Sequence, residues 1–223
     1  MSPTRRDMRE SRPWSLGRCE VVKRLTIGGS EVTQIKSVYC EPDSVRTFAL
    51  KLNNWSPGGG QYPGHFLFTP IPSAFYSDLV GSTAGQIVTP HREYRFSPFA
   101  AIRDQNNAFQ ESEVLPHSDC FCDYVGIISL SNDEDIPASV RSGTSFWRHI
   151  PTGLTSMTPE ITVEEQSQMF SKSSIASWEQ AGYVQHVYNH MIVFPAKIFH
   201  RIEFTDASPA MLRLTQNLYM VNA

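Results

Sequence analysis

The sequence predicts a mainly β protein, a sandwich or barrel with helices packed on one face. Beyond residue 90 the chain breaks into short apolar or alternating runs bounded by Pro, Gly, Asn and Asp, which is how strands joined by tight connections read. Helical periodicity is concentrated before residue 90. No linker-like stretch, repeat or low-complexity segment divides the 223 residues, so one domain is expected.

Residues 1–16 are charged, carry Pro3 and Pro13 and show no period, so they are expected to be a flexible tail before a domain spanning 17–223. Glu20 to Ile27 reads as a strand stopped by Gly28-Gly29, and Val32 to Tyr39 alternates as a second. Pro42-Asp43-Ser44 then opens a helix with Val45, Phe48, Ala49 and Leu52 at helical spacing. Residues 53–64 form a loop. Its Gly58-Gly59-Gly60 lacks the Lys-Ser/Thr of a phosphate loop and reads as a mobile segment, a candidate lid. A second helix covers Ser73 to Leu79, extending toward Ala84.

Strands follow at Tyr94 to Arg103, where Pro98 marks an edge or bulge, at Tyr124 to Leu130 and at Thr144 to His149. Residues 160–178 are polar with Val163, Met169 and Phe170 at helical spacing, an excursion helix whose Glu164-Glu165 faces solvent. Four last strands are expected at Tyr183–Tyr188, Met191–Phe194, Ile198–Phe204 and Met211–Val221.

Composition excludes several function classes. Nineteen basic against 22 acidic residues give a net charge of −3, with no long Lys/Arg block, which argues against nucleic-acid binding. No window approaches 18 apolar residues, the N-terminus lacks the apolar stretch of a secretory signal, and four cysteines do not make a disulfide scaffold. A soluble cytoplasmic protein with reduced thiols is expected. No Gly-x-Ser-x-Gly elbow supports a serine hydrolase.

The chemistry is carried by Leu115-Pro116-His117-Ser118-Asp119-Cys120-Phe121-Cys122. His117 and Asp119 are two apart, so on an extended chain both point to one face. An imidazole nitrogen and a carboxylate then converge, which is two thirds of the facial triad that holds non-haem Fe(II). Of the seven histidines, His200 best supplies the third ligand, because it follows the apolar run Ile192 to Phe199 and so sits at a strand mouth. His149, His186 and His190 are its rivals; one of His186 and Tyr188 faces inward, and His190 sits at a solvent-facing turn. Zinc held by Cys120, Cys122 and His117 is the competing metal reading, opposed by alternation, which turns the cysteines away to pack as buried thiols behind the metal strand. Near the end of the chain Arg213 and Thr215 again share a face. An Arg fork and a hydroxyl pointing into a core predict a carboxylate ligand near the metal; the alternative is an Arg at a strand end that reaches solvent.

The ordered set His117-x-Asp119, His200, Arg213-x-Thr215 resembles the Fe(II)/2-oxoglutarate-dependent oxygenase superfamily. Within it the chain is similar to a bacterial family catalogued mainly as a domain of unknown function. The likeness runs over roughly residues 20–222 through Glu41-Pro42-Asp43-Ser44-Val45-Arg46, Tyr62-Pro63-Gly64, Pro116 to Asp119, Gly143 to His149 with Pro151-Thr152-Gly153-Leu154, Tyr188-Asn189-His190, Phe194-Pro195, Phe199-His200 and Arg213-Leu214-Thr215-Gln216-Asn217. Two glycines of that pattern are replaced here, by Ser142 and by Leu212. The resemblance implies a double-stranded β-helix (jelly roll, cupin-like) in which His117, Asp119 and His200 bind Fe(II). It implies that 2-oxoglutarate chelates the metal, with its far carboxylate on Arg213 and Thr215, and that O2 is the second co-substrate. The implied reaction releases succinate and CO2 and hydroxylates, desaturates or cyclises a small organic substrate such as an amino acid or natural-product intermediate. Halogenation is disfavoured, because Asp119 takes the position a halide needs. The same chemistry on a protein- or carrier-bound residue, and a non-catalytic jelly-roll binding module, are the alternatives. Arg95, Trp147, Arg148 and His149 are the candidate substrate contacts, with Tyr94, Phe96 and Arg103 on the strand that often borders such a pocket.

Overall fold

The computed structural model describes residues 14–58, 62, 64–69, 72–85, 92–94, 98–103, 114–205 and 210–222. The strands are β1 (Glu20–Ile27), β2 (Ser30–Lys36), β3 (Ser56–Pro57), β4 (His65–Leu67), β5 (Arg92–Tyr94), β6 (Phe99–Arg103), β7 (Tyr124–Ser129), β8 (Arg141–His149), β9 (Trp178–Gln185), β10 (Met191–Pro195), β11 (His200–Thr205) and β12 (Leu212–Asn222). The helices are α1 (Pro42–Lys51), α2 (Ser73–Ala84) and α3 (Val163–Met169). The strands form a large antiparallel sheet in the order β1-β2-β10-β7-β12-β6-β4-β3, with β5 also on β12, and a small sheet in the order β11-β8-β9. Together they make the expected jelly roll.

Local chemistry explains the elements. Gly28 and Gly29 have φ of 56° and 80°, so a two-residue turn with both central residues left-handed joins β1 to β2 in register. Pro42 starts α1, where a missing N–H costs nothing, and Asp43 sits favourably in its first turn. Thr162 and Glu165 satisfy each other's backbone N–H groups in a capping box that starts α3. The expected 160–178 helix is shorter, because a 3-10 helix (Lys172–Ser177) replaces its second half. Val163 is 83 % exposed rather than inward, while Met169 is buried as expected.

The period of two divides the core. On β12, Leu212, Leu214, Leu218 and Met220 face α1 and α2 and pack with Val45, Ala49, Phe75 and Leu79. On β7, Val125 and Ile127 face the other way and pack with Phe146, Val184 and Phe194 between the sheets. Truncating Leu214 to Ala removes roughly 2–5 kcal/mol of packing. In the run expected at Tyr94–Arg103, Tyr94 pairs with Met220 and Phe99 with Gln216, so five steps of this run span four of β12; residues 95–97 lie outside the described residues.

The tail boundary at residue 16 needs correction. Trp14 packs on Phe48, Phe75 and Phe99 with ring centroids 5.1–6.1 Å apart, and Leu16 bridges to Tyr39, so these residues join the helix-side core. Gly59 and Gly60 of the candidate lid lie outside the described residues; Gly58 donates its N–H to Gly64 O at 2.7 Å.

Candidate metal centre

Two backbone hydrogen bonds join His117 to His200, each N–H donating to the other's carbonyl at 2.9 Å. The Asp119 N–H donates to Ala196 O at 2.9 Å. The pre-strand segment is thus laced to the turn between β10 and β11. Side chains at 117 and 119 point the same way as that of 200 on β11. The imidazole centroids are 4.5 Å apart, and His200 Nε2 lies 3.5 Å from Asp119 Oδ2. One ligand atom from each of the three residues falls within 4.8 Å of the others. Among the described residues this is the group able to hold a metal, and no cysteine belongs to it.

The nitrogens are assigned by their surroundings. His200 Nδ1 lies 2.9 Å from Ile198 O and His117 Nδ1 lies 3.4 Å from Leu115 O. A carbonyl only accepts, so both Nδ1 atoms carry the proton and both Nε2 lone pairs are left for a metal. Burial pushes His117 down to about 4, and the neighbouring His200 adds to the effect. Burial works to raise Asp119, but the two imidazoles beside it, His200 first, outweigh this and hold it below the usual carboxylate range. Two imidazoles beside one carboxylate are the donor set of a non-haem iron site, so the residues present fit a divalent iron.

A cavity of about 320 Å³ opens beside the triad. Phe66, Val114, Val125, Ile127 and Ile202 make its apolar walls, and Tyr62, Thr144, Asn217 and Tyr219 add hydroxyl and amide groups. Arg201 also borders it, but Glu203 neutralises its guanidinium, which lies over Trp147 at 4.6 Å.

Arg213 is 2 % exposed on the strand face shared with Asn217 and Tyr219. Its guanidinium makes no ion pair among the described residues: one terminal nitrogen meets His186 Nδ1 at 3.4 Å, and Nε is buried without a partner. Its charge acts on Tyr62, whose hydroxyl is likewise buried without a partner and is pushed far up by burial. Two orphaned donors, one of them the Tyr62 hydroxyl on the cavity wall, fit an anionic ligand group. Thr215 lies on the same face, but its hydroxyl reaches Asn217 Oδ1 at 3.3 Å and Ala100 O at 3.5 Å.

The expected substrate contacts fare differently. Thr144 and Phe146 face inward. Trp147 lies on the opposite face of β8 with Ser145, where its Nε1 donates to Ser145 Oγ at 2.6 Å and Arg201 lies over its ring. Arg148 pairs with Glu179 at the surface, and His149 stacks on Trp178 at 4.9 Å with Thr152 3.0 Å from its Nδ1. None of the three borders the cavity. Arg95 and Phe96 lie outside the described residues. Cys120 is exposed, because residues 120–121 turn instead of continuing a strand, and Cys122 Sγ reaches back to Asp119 O at 3.5 Å.

Among the rival histidines, His190 is half-buried rather than solvent-facing, with its Nδ1 enclosed and unpartnered. His186 faces inward but toward Arg213 and Thr144, not the triad. Tyr62, Thr144 and His186 are site residues that sequence reasoning did not assign. Their signal was present in part, since 142, 144 and 146 share one face of a strand.

Comparison with solved structures finds the same fold in oxygenase-type proteins. The non-haem α-ketoglutarate-dependent epimerase SnoN from nogalamycin biosynthesis aligns with a TM-score of 0.55 at 12 % identity, covering 88 % of this chain and 79 % of its own. HygX from Streptomyces hygroscopicus, with nickel, 2-oxoglutarate and hygromycin B bound, gives 0.54 at 13 % identity over 89 % and 84 %. The carbocyclase SnoK, also from nogalamycin biosynthesis, gives 0.51 at 13 % identity over 88 % and 80 %. Comparison with curated proteins finds no significant match. Residues 19–220 match the family of unknown function DUF6445, nearly the whole chain. The expectation of an uncharacterised family is met, and the chain belongs to DUF6445.

Proposed function

We propose that this protein is an Fe(II)/2-oxoglutarate-dependent oxygenase acting on a small organic molecule. The observation that carries the reading is the pairing of a His-Asp-His cluster with a buried Arg213 that has no acidic partner among the described residues. An unpaired guanidinium in a core is destabilising unless a ligand supplies the missing charge. His117 Nε2, Asp119 and His200 Nε2 would hold the metal. Arg213, with the Tyr62 hydroxyl, would take the far carboxylate of the co-substrate. Bound there, iron with 2-oxoglutarate and O2 supplies an oxidant able to remove hydrogen from an unactivated C–H bond, releasing succinate and CO2.

The chain's own part is to bind, orient and exclude water. Phe66, Val125, Ile127 and Ile202 keep the space beside the triad apolar, which suits a substrate carbon held next to the metal. Hydroxylation is the default outcome, and desaturation or cyclisation would use the same site. The SnoN and SnoK names, an epimerase and a carbocyclase, support that breadth for this fold. A cytoplasmic location agrees with four cysteines that form no disulfide, and no described helix is long and apolar enough to cross a membrane.

The test is an anaerobic titration of metal-free protein with Fe(II) and then 2-oxoglutarate, followed by visible absorption. A weak charge-transfer band that needs both additions, and is lost in His200→Ala, is the expected result. No band, and no melting shift with either addition, would show that the fold serves binding rather than oxidation.

A further inference from the structure

His186 and Thr144 form a hydrogen-bonded relay between Arg213 and the cavity. Arg213 can only donate, so the 3.4 Å contact with His186 Nδ1 makes that nitrogen the acceptor. The proton of the neutral ring is then on Nε2, which lies 3.1 Å from Thr144 Oγ1. Nε2 therefore donates to the threonine oxygen. Among the described residues that oxygen has no other partner, so the hydroxyl proton of Thr144 is uncommitted, and Thr144 borders the cavity that holds His117, Asp119 and His200. Burial and the Arg213 charge both drive His186 well below its ordinary value, which keeps the ring in the neutral form this chain of bonds requires. Thr215, by contrast, spends its hydroxyl on Asn217 and Ala100 within the large sheet.

We infer that Thr144, oriented by His186, is the hydroxyl donor to the far carboxylate of a 2-oxo dicarboxylic acid held by Arg213, and that His186 is a positioning residue which sets both groups at once. The relay spans the two sheets: Arg213 comes from β12 of the large sheet, Thr144 from β8 of the small sheet, and His186 from the residue after β9. It therefore also fixes the spacing of the sheets at the depth where the carboxylate must fit.

This inference rests on the oxygenase reading, and the measurement separates the two. The affinity of Fe(II)-loaded protein for 2-oxoglutarate is read anaerobically from the charge-transfer band in wild type, Thr144→Val, Thr144→Ser, His186→Phe and the Thr144→Val/His186→Phe double variant. Fe(II) affinity is measured alongside, and melting temperature reports folding. Thr144→Val and His186→Phe are each expected to weaken 2-oxoglutarate binding about tenfold while leaving Fe(II) affinity unchanged. Thr144→Ser should retain wild-type affinity. The double variant should stay close to the larger single effect rather than reach the roughly hundredfold of independent groups. Unchanged 2-oxoglutarate affinity in Thr144→Val, or full additivity, overturns the relay and leaves the oxygenase reading standing. Should His186→Phe fail to fold, the Val and Ser pair at 144 still decides the donor. A wild-type protein with no band at all removes both proposals together.

Discussion

The His-Asp-His cluster and the Arg213 cluster are built on different principles. At the metal end the geometry is made by backbone: reciprocal N–H to carbonyl bonds tie His117 to His200, and Asp119 is pinned to Ala196. Each imidazole has its Nδ1 occupied, so the ligands are preset before any metal arrives. At the far end nothing comparable closes the arrangement. Arg213 Nε and the Tyr62 hydroxyl are buried without partners, and the remaining guanidinium contact is a 3.4 Å bond to His186. One cluster has its hydrogen bonds satisfied, as a metal site would need; the other leaves buried donors unsatisfied, as an anion site would need. Preorganisation by backbone costs little stability, whereas preorganisation by orphaned charge keeps the ligand-free fold under tension.

Substitutions at the two ends should therefore have opposite effects on the empty protein. Asp119→Ala removes the carboxylate between two imidazoles. Coupled turnover should fall by at least about a hundredfold, and the rise in melting temperature on adding Fe(II) should vanish. Full turnover in that variant would remove the metal assignment. Arg213→Met should weaken 2-oxoglutarate binding by about 100-fold or more, yet raise the stability of the ligand-free protein by about 1–4 kcal/mol, because an uncompensated buried charge is replaced by an apolar chain. Loss of stability in Arg213→Met would mean that the guanidinium is already compensated, and the contrast between the two ends would collapse.

The same contrast explains what was legible in the sequence. The metal end could be read because its spacing is local: His117 and Asp119 alternate on an extended segment, and His200 follows an apolar run. The sandwich with helices on one face was legible from periodicity. Arg213 was legible as a charge on a core strand. Its partners were not, because Tyr62, Thr144 and His186 meet only through the packing of two sheets, and no spacing encodes that. Trp147 and His149 were misplaced because they alternate with Thr144 and Phe146 and so share the other face of β8 with Ser145, while Arg148 is taken up by Glu179 at the surface. Trp14 escaped notice because one aromatic in a charged segment has no period to reveal it.

Acid should expose the cost of the buried histidines. His117 and His186 sit below their ordinary value in the folded protein, so the unfolded chain binds protons that the folded one refuses. Stability of the metal-free protein should fall as pH drops below about 6.5, with a slope of about 1.4 kcal/mol per pH unit for each such group, and for His117 the loss should level off near 4. Denaturant unfolding at several pH values reads this directly. His186→Phe should flatten the slope, and an unchanged slope would place the proton uptake elsewhere.

The smallest effect is expected at Arg148, a candidate substrate contact in the sequence that the structure puts at the surface near the end of β8. Its guanidinium pairs with Glu179, and both side chains are nearly half exposed, so the pair contributes at most about 1 kcal/mol and is weakened further by salt. Arg148→Ala should leave 2-oxoglutarate affinity and Fe(II) affinity at wild-type values and shift the melting temperature by no more than a few degrees. The substitution tests whether the inner face of β8, which carries Thr144 and Phe146, extends as far as position 148. If it did, removing a cation there would change binding of any anionic ligand several-fold. A binding change of that size at position 148, without one at Thr144, would move the ligand site from the inner face of the small sheet to its outer edge.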